Sequence, residues 1–309
     1  MSDSLYTNPD TNLVERISIS ARTRAGAYLE MMRISNLPSV FSNVLVGAAL
    51  GAGSGRIPLE STVPCAVAVA FLYLGGVALN DAIDAEVDRT ERPERPIPSG
   101  RLSAGQAYRL AAFTVCLGLA VLASISRLAV GMGTVLVGII VAYDFLHKRF
   151  APSVLLMGAA RGMVYLTAAV AVAGSLVVGK PLWFIVTLTA YTTAFTIVAR
   201  SENRNEMDSR RWVAAGIPLI VLVPGVWITV NEAAAAAGAG ILMLVWQARA
   251  VVKVFQIPPD TRQAVHIWLS GFCLMDAFYL TFVGNVVLAG AALVCFVLTL
   301  LLQRRFMGT

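Results

Sequence analysis

Charge is scarce in this chain. Asp, Glu, Lys and Arg make up only 14% of its 309 residues, against about 25% in an ordinary soluble domain. Hydrophobic residues reach 57% and the mean hydropathy is +0.73, which excludes a typical soluble enzyme. No polar linker longer than about 25 residues separates the apolar runs, so a second, soluble domain has no place. Ten-residue alternating runs are missing as well, which argues against a transmembrane barrel. The four cysteines (Cys65, Cys116, Cys273, Cys295) are scattered in apolar segments without a CxxC pair. A zinc site and a disulfide framework are therefore not expected, and the thiols read as small buried hydrophobes. There are two histidines and no Ser-His or Cys-His constellation, so nothing points to a covalent nucleophile. The polar first 25 residues do not read as a cleavable leader.

What is present is a series of runs about twenty residues long and apolar all round, the mark of an all-α polytopic membrane protein. Candidate spans lie at about 34–53, 61–81, 105–125, 128–147, 154–178, 181–200, 212–230, 233–252, 264–282 and 284–303. Three segments follow: residues 1–33 as a tail with an amphipathic interfacial helix, 34–303 as one membrane domain, and 304–309 as a short basic tail. With the N-terminus inside, the outer connections hold only Arg56, Arg127 and Lys180. The inner ones carry Arg89, Arg92, Arg95, Arg101, Lys148, Arg149, Arg204, Arg210, Arg211, Arg249, Lys253, Arg262, Arg304 and Arg305. That asymmetry places the long charged loops on the cytoplasmic face of a bacterial-type inner membrane. The net charge of +6 is then mostly a topology signal. Without a basic soluble domain it does not indicate nucleic-acid binding.

The second span runs into an acidic cluster. Of the 18 acidic residues, six fall inside fourteen positions: Asp81, Asp84, Glu86, Asp88, Glu91 and Glu94. Asn80, Asp84 and Asp88 are four apart, so a continuing helix projects all three from one face at about 6 Å intervals. Oxygen donors in that pattern suit Mg²⁺, which keeps few protein ligands and shares the rest with water and substrate phosphates. Asp81 is a supporting acid of the same set. No EF-hand loop is present. The arginines that follow, Arg92, Arg95 and Arg101, suit a polyanion such as a diphosphate.

The run from Asn80 to Ser103, N-D-A-I-D-A-E-V-D and then R-P-E-R-P-I-P-S-G-R-L-S, resembles the first signature of the UbiA superfamily of intramembrane prenyltransferases. The resemblance implies a transmembrane bundle of nine to ten helices with a cytoplasmic cap. It further implies one or two Mg²⁺ ions on two acidic motifs, an isoprenyl diphosphate donor and a small acceptor within the lipid bilayer. The usual second motif is Asp-x-x-x-Asp; the equivalent here is Glu202 and Glu206, with Asp208 as a spare acid. This Glu-for-Asp change resembles the EboC-like branch, associated with bacterial secondary metabolism. By resemblance, Tyr143 and Lys148 at the inner end of the fourth span contact the diphosphate, and Asn36 lines the substrate site.

Other polar residues complete the expected site. Arg161 sits in an otherwise apolar fifth span, where charge is costly and usually functional, and offers a guanidinium fork. Asp144 is a structural partner for it. Asn36, Ser39 and Asn43 form a polar face on the first span. Asp276, deep in the ninth, suits a hydrogen bond to the acceptor or a proton path. Gly47, Gly51 and Gly55 read as packing positions. Tyr73, Tyr165, Tyr191, Trp183 and Tyr279 are candidates for a prenyl tunnel. The expected reaction is ionisation of an allylic diphosphate and capture of the carbon by the acceptor. Asp84, Asp88, Arg161, Lys148 and Tyr143 are its catalytic residues. The alternatives are a UbiA-like transporter or lipid-binding protein with a degenerate second motif, and a prenyl-binding partner without turnover.

Overall fold

The computed structural model describes residues 24–200, 209–223 and 233–305. Among the described residues there are twelve α-helices and no strand: α1 (Arg24–Met31), α2 (Leu37–Ala52), α3 (Leu59–Ile83), α4 (Ala85–Glu91), α5 (Ala104–Ile125), α6 (Arg127–Leu146), α7 (Val154–Ala173), α8 (Lys180–Ala199), α9 (Arg210–Ile220), α10 (Ala233–Phe255), α11 (Thr261–Phe282) and α12 (Val286–Arg305). Nine of these segments are long and apolar enough to cross a bilayer. The protein is a multi-pass membrane protein.

Helix α11 is the axis of the bundle. Of its 22 residues, seventeen are buried, and it packs against α2, α8, α10 and α12. Helices such as α12 sit at the rim, with Val287, Val294 and Leu301 turned outward, as lipid-facing side chains must be. Close approach inside the bundle needs small residues, since lipid tails give apolar side chains no reason to leave them. Gly47 and Gly51 supply it: a Cβ there would stand 2.5 Å from the Tyr165 carbonyl and 2.3 Å from that of Ala169. The packing reading of these two glycines is therefore right, whereas Gly55 lies beyond α2, in the turn that follows it.

Pairwise contacts fix the direction of each helix. Asn43 meets Arg161 and Gly51 meets Ala169, so α2 and α7 are parallel. Tyr191 of α8 donates to the Trp268 carbonyl, and Phe184 meets Tyr279, so α8 and α11 are antiparallel. Trp246 of α10 donates to the Ile267 carbonyl and Gly240 faces Phe278, again antiparallel. Gln303 of α12 reaches the His266 carbonyl, and Thr299 meets Cys273. Consequently α8 ends, α10 ends, α11 begins and α12 ends on one face. That face also carries Asp84, because Arg200 after α8 is bonded to the carbonyls of His147 and Ala151.

The described chain leaves α8 on the acidic face, and α10 runs toward that face from the opposite one. Helix α9 packs between them: Trp212 meets Phe255 at the acidic face, and the Val221 carbonyl accepts from Tyr279, deeper in the bundle. The expected span at 212–230 is described only as far as residue 223, and the rest of it lies outside the described residues. Within the segment expected to hold an interfacial helix, the described residues form α1. Its residues Ala27 and Met31 are buried in a small core with Ala78, Ala82, Leu102 and Ala107, so it is docked on the bundle as well as lying at its edge.

A reporter fused after Arg305 should therefore lie on the same side of the membrane as one inserted in the 92–101 loop. Opposite sides in a paired reporter assay would refute this placement of the end of α12.

Candidate active site at the acidic membrane face

Helix α3 ends at Ile83 and α4 begins at Ala85, but the helical bonding continues through the junction. The Asp84 amide donates to the Asn80 carbonyl (2.9 Å) and the Asp88 amide to the Asp84 carbonyl (2.8 Å). Asn80, Asp84 and Asp88 accordingly stay on one line, as their spacing predicts. Asp81, Asp84 and Asp88 are 5%, 5% and 2% exposed, while Glu86 is exposed. Asp81 is as much a part of the inner set as the other two.

Buried carboxylates repel one another unless cations stand between them. Arg95, itself buried, donates to Asp88 at 2.6 Å and lies 3.8 Å from Asp81. Arg33 donates to Asp81 at 2.8 Å. Asp84 faces His147 at 3.2 Å and Lys148 at 3.8 Å, and Lys148 also reaches Glu91 at 3.9 Å. Tyr143 stacks on His147 with ring centroids 5.0 Å apart. Burial disfavours the His147 imidazolium, but the hydrogen bond and charge of Asp84 outweigh it and hold the pKa above its ordinary value. For Arg33 burial likewise opposes the charge, and Asp81 more than restores it.

Arg33 and His147 are missing from the residues that sequence reasoning assigns to the site. Arg33 is the one non-glycine with positive φ among the described residues (φ 44), a conformation costly for an ordinary side chain. Its carbonyl accepts from Tyr73 at 3.2 Å while its side chain holds Asp81. The available signal was position alone, a basic residue directly before the first span.

Several expected site residues stand elsewhere. Arg101 is committed to Glu30 by two bonds (2.6 and 3.0 Å) and to the Glu94 carbonyl; it ties the 92–101 loop to α1 and does not meet the aspartates. Arg92 is half-buried after α4. Asp144 pairs with Asn80, whose amide donates to it at 3.2 Å, and not with Arg161. Glu202, Glu206 and Asp208 lie outside the described residues; the chain enters them from Arg200, which is fixed to Ser153 at 2.8 Å.

A second polar layer lies deeper. Arg161 donates to Asn43 at 3.0 Å and Ser39 at 3.1 Å, and its guanidinium sits 4.2 Å above the Phe272 ring. Asn43 in turn donates to Asp276 at 2.8 Å, joined by Ser42 at 2.5 Å and by the Tyr165 hydroxyl. Asp276 has no exposed surface. Its oxygens are saturated by the protein, so neither acceptor binding nor a proton path is visible there. Asn36 is half-buried, and its carbonyl accepts from the Ser39 hydroxyl. Tyr165, Tyr191 and Tyr279 are fully buried with bonded hydroxyls, and Trp183 is 47% exposed at the rim. Of the five tunnel candidates only Tyr73 borders the site.

The fold and this acidic face define a class: a multi-pass helical bundle holding carboxylates and guanidinium groups together at one membrane boundary. The sequence matches the UbiA prenyltransferase family over residues 40–308. The chain belongs to that family. A digeranylgeranylglyceryl phosphate synthase of Ignicoccus hospitalis is 40% identical over 100 residues, 32% of this chain and 32% of that protein. The one from Methanopyrus kandleri is 42% identical over 101 residues, 30% and 34% of the two chains. The matched stretch thus spans about a third of these relatives. Among solved structures, a UbiA homologue from Aeropyrum pernix K1 superposes with a TM-score of 0.64 at 17% identity, covering 85% of this chain and 98% of that one. A homologue from Archaeoglobus fulgidus bound to GPP and Mg²⁺ gives 0.62 at 15% identity, covering 84% and 99%. At such identities the likeness is one of fold.

Two outcomes follow from this geometry. Because the pKa of His147 is raised on folding, its bond to Asp84 contributes fully below the ordinary value of 6.5 and is lost as pH rises through the raised one. In EDTA, the Tm difference between wild type and His147→Gln should shrink with increasing pH; a difference that grows would contradict the assignment. Asp276→Ala strands three donors, each at about 1–3 kcal/mol. It should lower the Tm in detergent far more than Arg101→Ala, whose partners are partly exposed.

Proposed function

We propose that this protein transfers a prenyl group from an isoprenyl diphosphate to a small acceptor within the membrane, with the acidic face cytoplasmic in a bacterial-type inner membrane. The observation that carries the reading is the set of three buried aspartates on successive turns, held among Arg33, Arg95, His147 and Lys148. The excess of Lys and Arg on that face supports its orientation.

Among the described residues no three acidic, His or Cys side chains already converge as a metal shell, since each carboxylate is drawn to a cation. The donor chemistry still fits Mg²⁺: hard oxygens from Asn80, Asp84 and Asp88, with Asp81 behind them. Asp84 has the loosest partners, at 3.2 and 3.8 Å, and the Lys148 contact is 38% exposed. A bound Mg²⁺ supplies neutralisation of the charge growing on a leaving diphosphate. Glu202 and Glu206 are the proposed ligands of a second ion.

The chain's own groups divide the remaining work. Lys148 and Arg95, each already shared between two acids, are placed to turn toward the diphosphate. Arg92 joins them from the same loop. Tyr143 and His147 flank Asp84 at the end of α6, and Tyr73 bonds the Arg33 carbonyl beside them. Arg161, on the bundle side, offers a further positive charge to anionic groups of the donor. The apolar interior keeps water from an allylic cation, so the acceptor captures it first.

The test is diphosphate release from geranyl or longer prenyl diphosphates by the purified protein in detergent with Mg²⁺. Asp84→Asn and Asp88→Asn should each lower the rate by at least about a hundredfold, the scale of losing one charge-stabilising group. Full activity in either variant would sink the site assignment.

A further inference from the structure

Among the described residues, one buried side-chain oxygen at the acidic face has no hydrogen-bond partner. Asp144, in the last turn of α6, is 3% exposed. Its Oδ1 accepts from the Asn80 amide nitrogen at 3.2 Å, while its Oδ2 is buried without any hydrogen bond. Leaving a buried carboxylate oxygen unpaired costs about 1–3 kcal/mol or more, so native structures keep few of them. Asp144 shares its surroundings with Asp84, His147 and Arg33, and its backbone carbonyl bonds His147 Nδ1 at 3.0 Å.

The contact with Asn80 has a directional consequence. Asn80 donates through its NH₂ to Asp144 and therefore presents its own Oδ1 on the other side. No hydrogen bond among the described residues occupies that oxygen, and Asn80 is half-exposed at the site. An asparagine ligates a hard cation through oxygen and not through its amide nitrogen.

We infer that Asp144 is a positioning residue of the cation site: it locks the Asn80 amide with the oxygen facing the ion, and its free Oδ2 accepts from the ion's water shell. The inference rests on the proposed function, because it presumes a divalent cation on the Asn80–Asp84–Asp88 line. Asp144 is contributed by a different helix, so the site joins α3 and α6 across the bundle.

The measurement is Mn²⁺ binding followed by electron paramagnetic resonance, on the full chain in detergent, with geranyl S-thiolodiphosphate present. Asp144→Leu and Asp144→Ala should each weaken Mn²⁺ about 10–100-fold, the effect of losing a group that orients a ligand. Asn80→Ala should do the same. The double variant Asn80→Ala/Asp144→Leu should be no worse than Asn80→Ala alone apart from the water contact, since the two act as one unit. Asp144→Leu removes an unsatisfied buried acid, so its Tm in EDTA should equal or exceed that of wild type. A purely structural Asp144 predicts the reverse: a lower Tm and unchanged Mn²⁺ affinity. If the leucine variant does not fold, the smaller Asp144→Ala decides the matter. Wild-type Mn²⁺ affinity in the Asp144 variants, or additive losses in the double variant, would overturn the inference while leaving the proposed function standing. A wild-type protein that binds no Mn²⁺ would remove both.

Discussion

The structure of the acidic face depends on the neutralisation of three aspartates packed on successive turns. Asp81, Asp84 and Asp88 are each buried to about the degree expected of core leucines, a state carboxylates reach only when paired. No cation on their own helices serves them, since Arg89 turns out to the exposed Glu86. The compensating charges come from three other places: Arg33 before α2, Arg95 in the loop after α4, and His147 with Lys148 after α6. Charge compensation therefore gathers the ends of α2, α3, α4 and α6 onto one spot. Removing one cation would leave a buried charge uncompensated, which explains why the 92–101 loop is folded so tightly. The Ser99 amide returns to the Arg95 carbonyl and the Leu102 amide to that of Pro96, while Leu102 is sunk among Met31, Ala78 and Ala107.

The two polar layers differ in how completely they are satisfied. In the deeper one, Arg161 and Asp276 are separated by a single amide, Asn43, which accepts from the first and donates to the second. Every strong group there has a protein partner, as the absence of water at membrane depth demands. At the acidic face the pairing is uneven: Arg95 and Arg33 hold Asp88 and Asp81 at 2.6 and 2.8 Å, whereas Asp84 and the half-exposed Lys148 have contacts of 3.2, 3.8 and 3.9 Å, and one oxygen of Asp144 has no partner among the described residues. Saturated networks hold helices together, whereas groups left available can take a ligand. In the proposed function the cation site accordingly belongs to the outer layer. The inner one, including Asp276, anchors α2, α7 and α11.

Much of this was legible in the sequence, for identifiable reasons. Hydropathy exposes membrane helices because lipid imposes length and composition together. The four-residue spacing of Asn80, Asp84 and Asp88 is local, so helical periodicity sufficed to align them. Spacing alone could not show that Asp81 is also turned inward: that depends on Arg33, which lies 48 residues away. The same limit applies to Arg101, whose Glu30 is 71 residues distant. Asp144 looked like a partner for the intramembrane Arg161 because both are charges in apolar spans. Their helices place them at different depths, and Arg161 found neutral partners and an aromatic face instead. Aromatic residues were the least informative, because a tyrosine buried by packing and one lining a passage have the same sequence context.

Pairing of this kind also bears on how such a site accepts a diphosphate. A polyanion entering an uncompensated acid cluster would be repelled, and one entering a site of bare arginines would be bound too firmly to leave. Here the cations are already shared, Arg95 between Asp81 and Asp88, and Lys148 between Asp84 and Glu91. Binding then exchanges one anionic partner for another with little change in net burial of charge, so the cost of desolvating the guanidinium and ammonium groups has been met in folding. The balance can tip only if the carboxylates receive positive charge in return as the arginine and lysine turn away. A hard divalent cation arriving with the diphosphate satisfies that condition, and monovalent lipid headgroups do not. In the proposed function, the ion pairs of this face thus favour a ligand that brings its own counter-charge, which is the form in which diphosphates are carried in the presence of Mg²⁺.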